Sequence, residues 1–240
     1  MKKKFHFTFN NLSNQFQEAI SKGYSIVSCE EFYNLKKQNL IPEKTIVNRI
    51  DIDISLKKTE KLVAIFNQLS IKGTFFLRLH APEYNPFSFE NYRIVRKIID
   101  SGHELGYHSE IIDQSFIWDE SAKDCLIRDV DIINRMFNTK IYGVASHGGM
   151  TGLNNLDFWK KNKPKDFNLL YEAYDEEPGF NLFNESFYIS DSEWTKWKCY
   201  DKGILRKNDI RTFKEHLADE HSLIYLLIHP DTYFNEHIYE

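Results

Sequence analysis

The chain has 240 residues and a formal net charge of −4, enough length for one large α/β domain or two small ones. It carries no long basic run, which argues against a nucleic-acid partner, and no apolar run near the ~20 residues of a membrane helix, which argues against membrane insertion. Three widely spaced cysteines, Cys29, Cys125 and Cys199, read as reduced thiols rather than a disulfide framework, and 15% aromatics suit a large core or a sugar-binding cleft.

Met1-Lys2-Lys3-Lys4 opens like a signal peptide, but Phe5 to Asn10 supplies no apolar region behind it. The expectation is a cytoplasmic protein. Residues 11–22 read as a helix with Leu12, Phe16 and Ile20 on one face. A strand over 24–28 and a short helix over 30–38 follow, and Pro42 ends this piece. It is too short for a core of its own. Residues 1–43 are therefore expected to be an extension packed on a main unit of residues 44–240.

That unit opens on Thr45-Ile46-Val47, which runs into Arg49-Ile50-Asp51-Ile52-Asp53. A helix over 55–70 follows, with Leu62, Ile65, Phe66 and Leu69 inward, then the strand 74–78. A Pro-rich loop around Tyr84-Asn85-Pro86 leads to a helix carrying Ile94, Val95, Ile98 and Ile99. Strand 104–107 ends at His108, helix 121–137 carries Leu126, Val130, Ile133 and Phe137, and strand 141–145 ends at Ser146-His147-Gly148-Gly149. Strand 187–190 ends at Asp191. A last helix with Ile210, Phe213 and Leu217 precedes strand 223–228, which ends at His229-Pro230. Strands alternating with helices predict an α/β fold with a parallel sheet.

Polar residues recur just past these strand ends: Asp51 and Asp53, His108, Ser146 and His147, Asp191, and His229. In a barrel of parallel strands such positions converge on one mouth. Asp51 and Asp53 are two apart and share a strand face, so one can ligate a metal while the other takes a proton; a polar strand end with a helix-capping Asp is the plainer alternative. Imidazole and carboxylate together suit zinc or another divalent first-row ion. The glycines after His147 either let backbone N–H groups approach an oxyanion or simply make a turn. Asp191 with Trp194 and Trp197 reads either as a carboxylate beside an aromatic wall or as core.

Taken in order, these segments resemble the polysaccharide deacetylase superfamily, the NodB-homology group of carbohydrate esterases, and within it a branch of surface-polysaccharide biosynthesis. The resemblance rests on Arg49 to Asp53, Thr74-Phe75-Phe76, Tyr84-Asn85, Gly102 to His108, His147-Gly148, Tyr188 to Ser192 and Leu227 to Pro230. It covers roughly residues 45–232. It implies a distorted (β/α) barrel of about seven parallel strands and a metal-dependent N-deacetylase acting on an N-acetylated sugar. It further implies Asp51 as general base, Asp53 and His108 as metal ligands, His229 as general acid and Asp191 as the group that tunes it. The family's second ligand histidine, four residues after His108, is Ile112 here, so the third ligand is expected from His147, with Glu110 and His103 behind it. Ser146-His147-Gly148 stands where the family has an Arg-Pro-Pro loop, and Ser146, Gly148 and Trp194 are the expected substrate contacts. Two other classes are weighed beside the enzyme: a non-catalytic glycan-binding protein on the same scaffold, and an Asp-x-Asp phosphatase of the haloacid dehalogenase type.

Overall fold

The computed structural model describes residues 6–239. Met1-Lys2-Lys3-Lys4 and Phe5, the start of the stretch that opens like a signal peptide, lie outside the described residues. The elements in order are α1 (Phe9–Ser21), β1 (Ser25–Val27), α2 (Cys29–Gln38), β2 (Thr45–Ile52), α3 (Leu56–Leu69), β3 (Thr74–Leu77) and α4 (Phe89–Asp100). β4 (Glu104–Ser109), α5 (Ile111–Trp118), α6 (Ala122–Phe137), β5 (Gly143–Ser146) and β6 (Tyr171–Glu172) follow. The chain closes with α7 (Leu182–Glu185), β7 (Phe187–Ser190), β8 (Lys198–Asp201), β9 (Ile204–Leu205), α8 (Phe213–His216) and β10 (Leu223–Ile228).

The expected helices form where amphipathic runs meet good caps. Side chains of Thr8, Ser28, Ser55 and Ser88 accept the first free N–H groups of α1 to α4, satisfying donors that the helix itself cannot. Strand order is β6-β5-β4-β3-β2-β10-β7-β8-β9. Among the described residues the first seven of these run parallel, as the α/β barrel reading requires. β8 and β9 extend the edge antiparallel. β1 pairs with the first three residues of β2, and β3 with its last four, so the two share one edge end to end.

The barrel is not closed by backbone pairing, because β6 and β7 are not hydrogen-bonded neighbours. Side chains bridge that seam instead: Tyr174 Oη and Tyr188 Oη stand 3.1 Å apart, and Tyr225 Oη donates to Ala173 O. Strand periodicity divides the core in two. Outward residues such as Ile50, Ile52, Phe75 and Leu105 pack under the helices with Leu62, Phe66 and Val95. Inward residues, Val47, Phe76, Ala145, Tyr171, Tyr188 and Tyr225, fill the barrel itself, and Phe32 of α2 packs with them. Gly106 is the inward residue of β4 next to Phe76, where a Cβ would stand 2.4 Å from the ring; only glycine admits that aromatic.

Three local readings differ. β5 begins at Gly143 rather than at residue 141. The last helix begins at Phe213, leaving Ile210 exposed. α5, directly after His108-Ser109-Glu110, is an additional helix. No helix among the described residues is long and apolar enough to cross a membrane.

Candidate metal and acid–base site

Residues 49, 51 and 53 alternate with the buried Ile50 and Ile52, so Arg49 and Asp51 face into the barrel and Asp53 stands just past its rim. Arg49 grips Asp51 through two hydrogen bonds, Nε to Oδ1 at 2.8 Å and Nη2 to Oδ2 at 2.6 Å. Both are almost fully buried. The guanidinium also lies over the Tyr174 ring, 4.7 Å from its centroid. Burial works against charge on Asp51, but Arg49 together with His108 and His229 holds the carboxyl below its ordinary range.

Asp53 has a different environment. Three imidazole Nε2 atoms converge on it: His108 at 3.2 Å, His229 at 3.8 Å and His147 at 4.0 Å. His108 sits inward in β4 and fixes its other nitrogen, Nδ1, on Ala145 O at 2.8 Å. That bond aims Nε2 at the carboxylates, the arrangement that orients a ligating histidine. His147 follows β5, and its ring meets that of His108 edge-on at 5.0 Å. Oδ1 of Asp53 is buried with no hydrogen-bond partner, which is costly unless something else compensates it.

The charges around this point pair off except for one. Asp51 has Arg49, and Glu110 has Arg78 at 2.8 Å. Asp191 has His229, whose Nδ1 lies 2.6 Å from Oδ1 and whose backbone N–H donates to Oδ2. Asp53 remains, facing His108 and His147. Donor atoms of these three residues lie within 4.8 Å of one another, a carboxylate–imidazole set that fits a divalent ion. Burial disfavours a charged His229, yet the Asp191 carboxylate prevails and pushes it up to about 9. Trp194, half exposed, leans over the same ring with centroids 5.9 Å apart. Trp197 is core, stacked on Phe7.

The other expected contacts divide. Ser146 donates its backbone N–H to Glu172, and His147 donates its own to Ser109 O, so neither is free for an oxyanion. Gly148 is exposed and lies in open space. Gly149 is the glycine this turn requires, since a Cβ there would collide with Leu153 O. Glu110 is beside the site, 3.2 Å from His147 Nδ1. His103 is not brought there: it lies before β4, packed between Phe66 and Phe75.

Sequence reasoning missed Arg78, Glu172 and Asp113. Arg78 follows β3 and ties Asp53 O to Glu110, so the strand-end rule that found the histidines reaches it too. Glu172 sits in a two-residue strand that leaves no periodicity to read. Asp113 accepts from Met150 N, Thr151 N and the Thr151 hydroxyl. Asn155 bridges the side chain of Asp113 and His147 O. These contacts anchor the loop that carries His147. A cleft of about 950 Å³ opens beside Glu172 and Tyr174, walled by Trp159, Lys163 and Phe183.

No family model matches the chain, and no curated protein matches it by sequence. Solved structures do. A Streptococcus mutans CE4 esterase superposes with a TM-score of 0.50 at 15% identity, covering 95% of this chain and 85% of that one. The Streptococcus pyogenes deacetylase PplD gives 0.44 at 17% identity, over 57% of this chain and 61% of that chain. A CE4 family pseudoenzyme from Bacillus anthracis gives 0.45 at 17%, over 79% and 56%. Against these last two the chain thus spans less than two thirds of the compared protein. The largely parallel sheet, its helices and the superposition on the CE4 esterase match the fold of this chain to that of the Streptococcus mutans protein.

Proposed function

We propose that this chain is a metal-dependent deacetylase that hydrolyses the N-acetyl group of a sugar in a surface polysaccharide or its precursor. The observation that carries the reading is the convergence of three imidazoles on Asp53, beside an Arg-held Asp51 and an Asp-held His229. In this reading residues 44–240 form the catalytic unit. Residues 1–43 are the extension, whose described part from residue 6 packs on it, with α2 plugging the amino-terminal end of the barrel. Three unbridged, buried cysteines support a reducing, cytoplasmic setting.

Asp53, His108 and His147 would hold the ion, most simply zinc, which when bound supplies a Lewis acid and lowers the pKa of water toward about 7. Asp51 acts as the base. A carboxylate has about four lone-pair sites, and Arg49 uses two of them, so a proton can still be accepted from water on the pocket side. His229, protonated through Asp191, stands across Asp53 from His108 and gives its Nε2 proton to the departing amine. Among Ser146, His147 and Gly148, only Gly148 keeps its N–H for an oxyanion. Trp194 and the aromatic cleft at Tyr174 offer flat apolar faces for sugar rings.

The test is acetate release from N-acetylglucosamine oligomers by the zinc-loaded chain and by Asp51→Asn. Release by the parent that falls at least 10²-fold in the variant supports the reading. Glycan binding without acetate release would make the chain a binding protein, and turnover of a phosphate ester instead would make it a phosphatase.

A further inference from the structure

A second cluster of ligand-type side chains lies on the other edge of the sheet, outside the site already described. Cys199 of β8, Asp209 of the following loop and His216 at the end of α8 bring a thiol, a carboxylate and an imidazole within 4.8 Å of one another. His216 is fully buried, and neither ring nitrogen has a hydrogen-bond partner. A buried imidazole left so is costly. Its nitrogens nevertheless face carboxylates on both sides: Nε2 is 3.6 Å from Asp209 Oδ1, and Nδ1 is 3.7 Å from Asp219 Oδ2.

Those separations are too long for hydrogen bonds. The Nε2–Asp209 separation matches two donors sharing one tetrahedral zinc, which stand about 3.3–3.8 Å apart for bonds of about 2.0–2.3 Å. The Cys199 Sγ lies within 4.8 Å of both donor atoms and donates to the backbone carbonyl of Asp209 at 3.8 Å. We propose that Cys199, Asp209 and His216 form a three-ligand zinc site, with Asp219 as the outer carboxylate on the other side of the His216 ring. This assigns Nε2 of His216 to the ion and leaves Nδ1 facing Asp219 at 3.7 Å, the side on which a carboxylate–histidine–zinc relay has its carboxylate. Arg211, which grips Asp209 at 2.8 and 3.0 Å and reaches Asp219 at 2.9 Å, holds both carboxylates in place from outside. The site would staple the β8–β9 hairpin and the loop after it to the segment entering β10, a region with little regular structure of its own.

A cobalt titration of the full chain tests this independently of the first site, because only a cysteine ligand gives sulfur-to-cobalt charge-transfer absorption in the near ultraviolet. The wild type is expected to bind two cobalt equivalents and show that absorption. Cys199→Ser and Asp209→Asn should each lose one equivalent, with the absorption abolished in Cys199→Ser. His108→Ala should lose the other equivalent and keep the absorption. Absence of the band in the saturated wild type, its survival in Cys199→Ser, or full metal content in Asp209→Asn overturns the proposal and leaves Arg211 as the countercharge of this cluster.

Discussion

Two aspartates two residues apart have different partners, and the partners decide their roles. Asp51 is fixed by a bidentate guanidinium; Asp53 faces imidazole nitrogens. Lysine cannot reproduce a planar fork, so Arg49→Lys should let Asp51 swing while Asp53 keeps its surroundings. The expected outcome is unchanged zinc stoichiometry and a kcat lower by about 10²-fold, the cost of a group displaced by about 1 Å; loss of zinc with kcat unchanged would contradict the assignment. In the proposed mechanism His229 would set the alkaline side of the pH profile. A general acid works only while protonated, and this ring is pushed up to about 9, so kcat should hold through neutral pH and fall as pH rises through about 9. Asp191→Asn removes the carboxylate that raises it and should move that fall toward neutral pH, which a pH–kcat series on the two proteins would read. The positions of Asp51, Asp53, His108, His147, Asp191 and His229 were legible because each ends a strand whose apolar run is plain. Arg49 was legible in principle, two residues before Asp51 on the same face, but its partner was visible only in the fold.

At the level of elements, the third imidazole depends on a helix that no pattern announced. α5 reads Ile111 to Trp118 with apolar side chains nearly all round, and Phe116, Ile117 and Trp118 are exposed, so it lacks the stripe from which a surface helix is read. Its first turn nevertheless holds the His147 loop through Asp113 and Asn155. Asn155 also accepts the N–H groups of Ile112 and Asp113, which ties loop and helix into one unit. Asn155→Ala should therefore weaken zinc binding by about 10–100-fold, the range for losing an outer-shell partner. Far-ultraviolet circular dichroism would stay the same, and competition with a chelator dye would measure the loss; unchanged affinity would make the network purely structural. The last helix shows the opposite failure. An apolar spacing of Ile210, Phe213 and Leu217 suggested an earlier start, but the Thr212–Glu215 capping box fixes the first turn at Phe213, and Ile210 is left in solvent.

Across the whole molecule, the carboxyl ends of the strands carry the candidate site and the amino ends carry a polar plug. Glu104 opens β4 and points inward, where it is almost fully buried. It accepts hydrogen bonds from the Thr74 and Tyr171 hydroxyls and from the first turn of α2 at Glu30 N. Thr74 in turn accepts Cys29 N, so this one carboxyl joins β3, β4, β6 and α2 at the closed end of the barrel. Burial dominates those hydrogen bonds and pushes Glu104 up to about 7 from 4.5. A folded pKa above the unfolded one means that the native state binds the extra proton. The associated stability is then fully present below about pH 4.5 and is lost as pH rises through about 7. A shift of this size corresponds to a change on the order of 3 kcal/mol, a large part of the 5–15 kcal/mol typical of a folded protein. Depressed carboxyls such as Asp51 and Asp209 work in the opposite direction, with stability lost as pH falls, so the parent's profile alone mixes the two signs. Glu104→Gln separates them, because glutamine keeps the shape and cannot ionise. Urea unfolding of both proteins between pH 5 and 8 should show the variant gaining on the parent as pH rises, with most of the gain between pH 5 and 7. A difference that stays constant across that range would mean that Glu104 keeps one protonation state throughout, and that the plug at the barrel's amino end is held by packing of Tyr171, Phe32 and Phe76 rather than by a protonated acid.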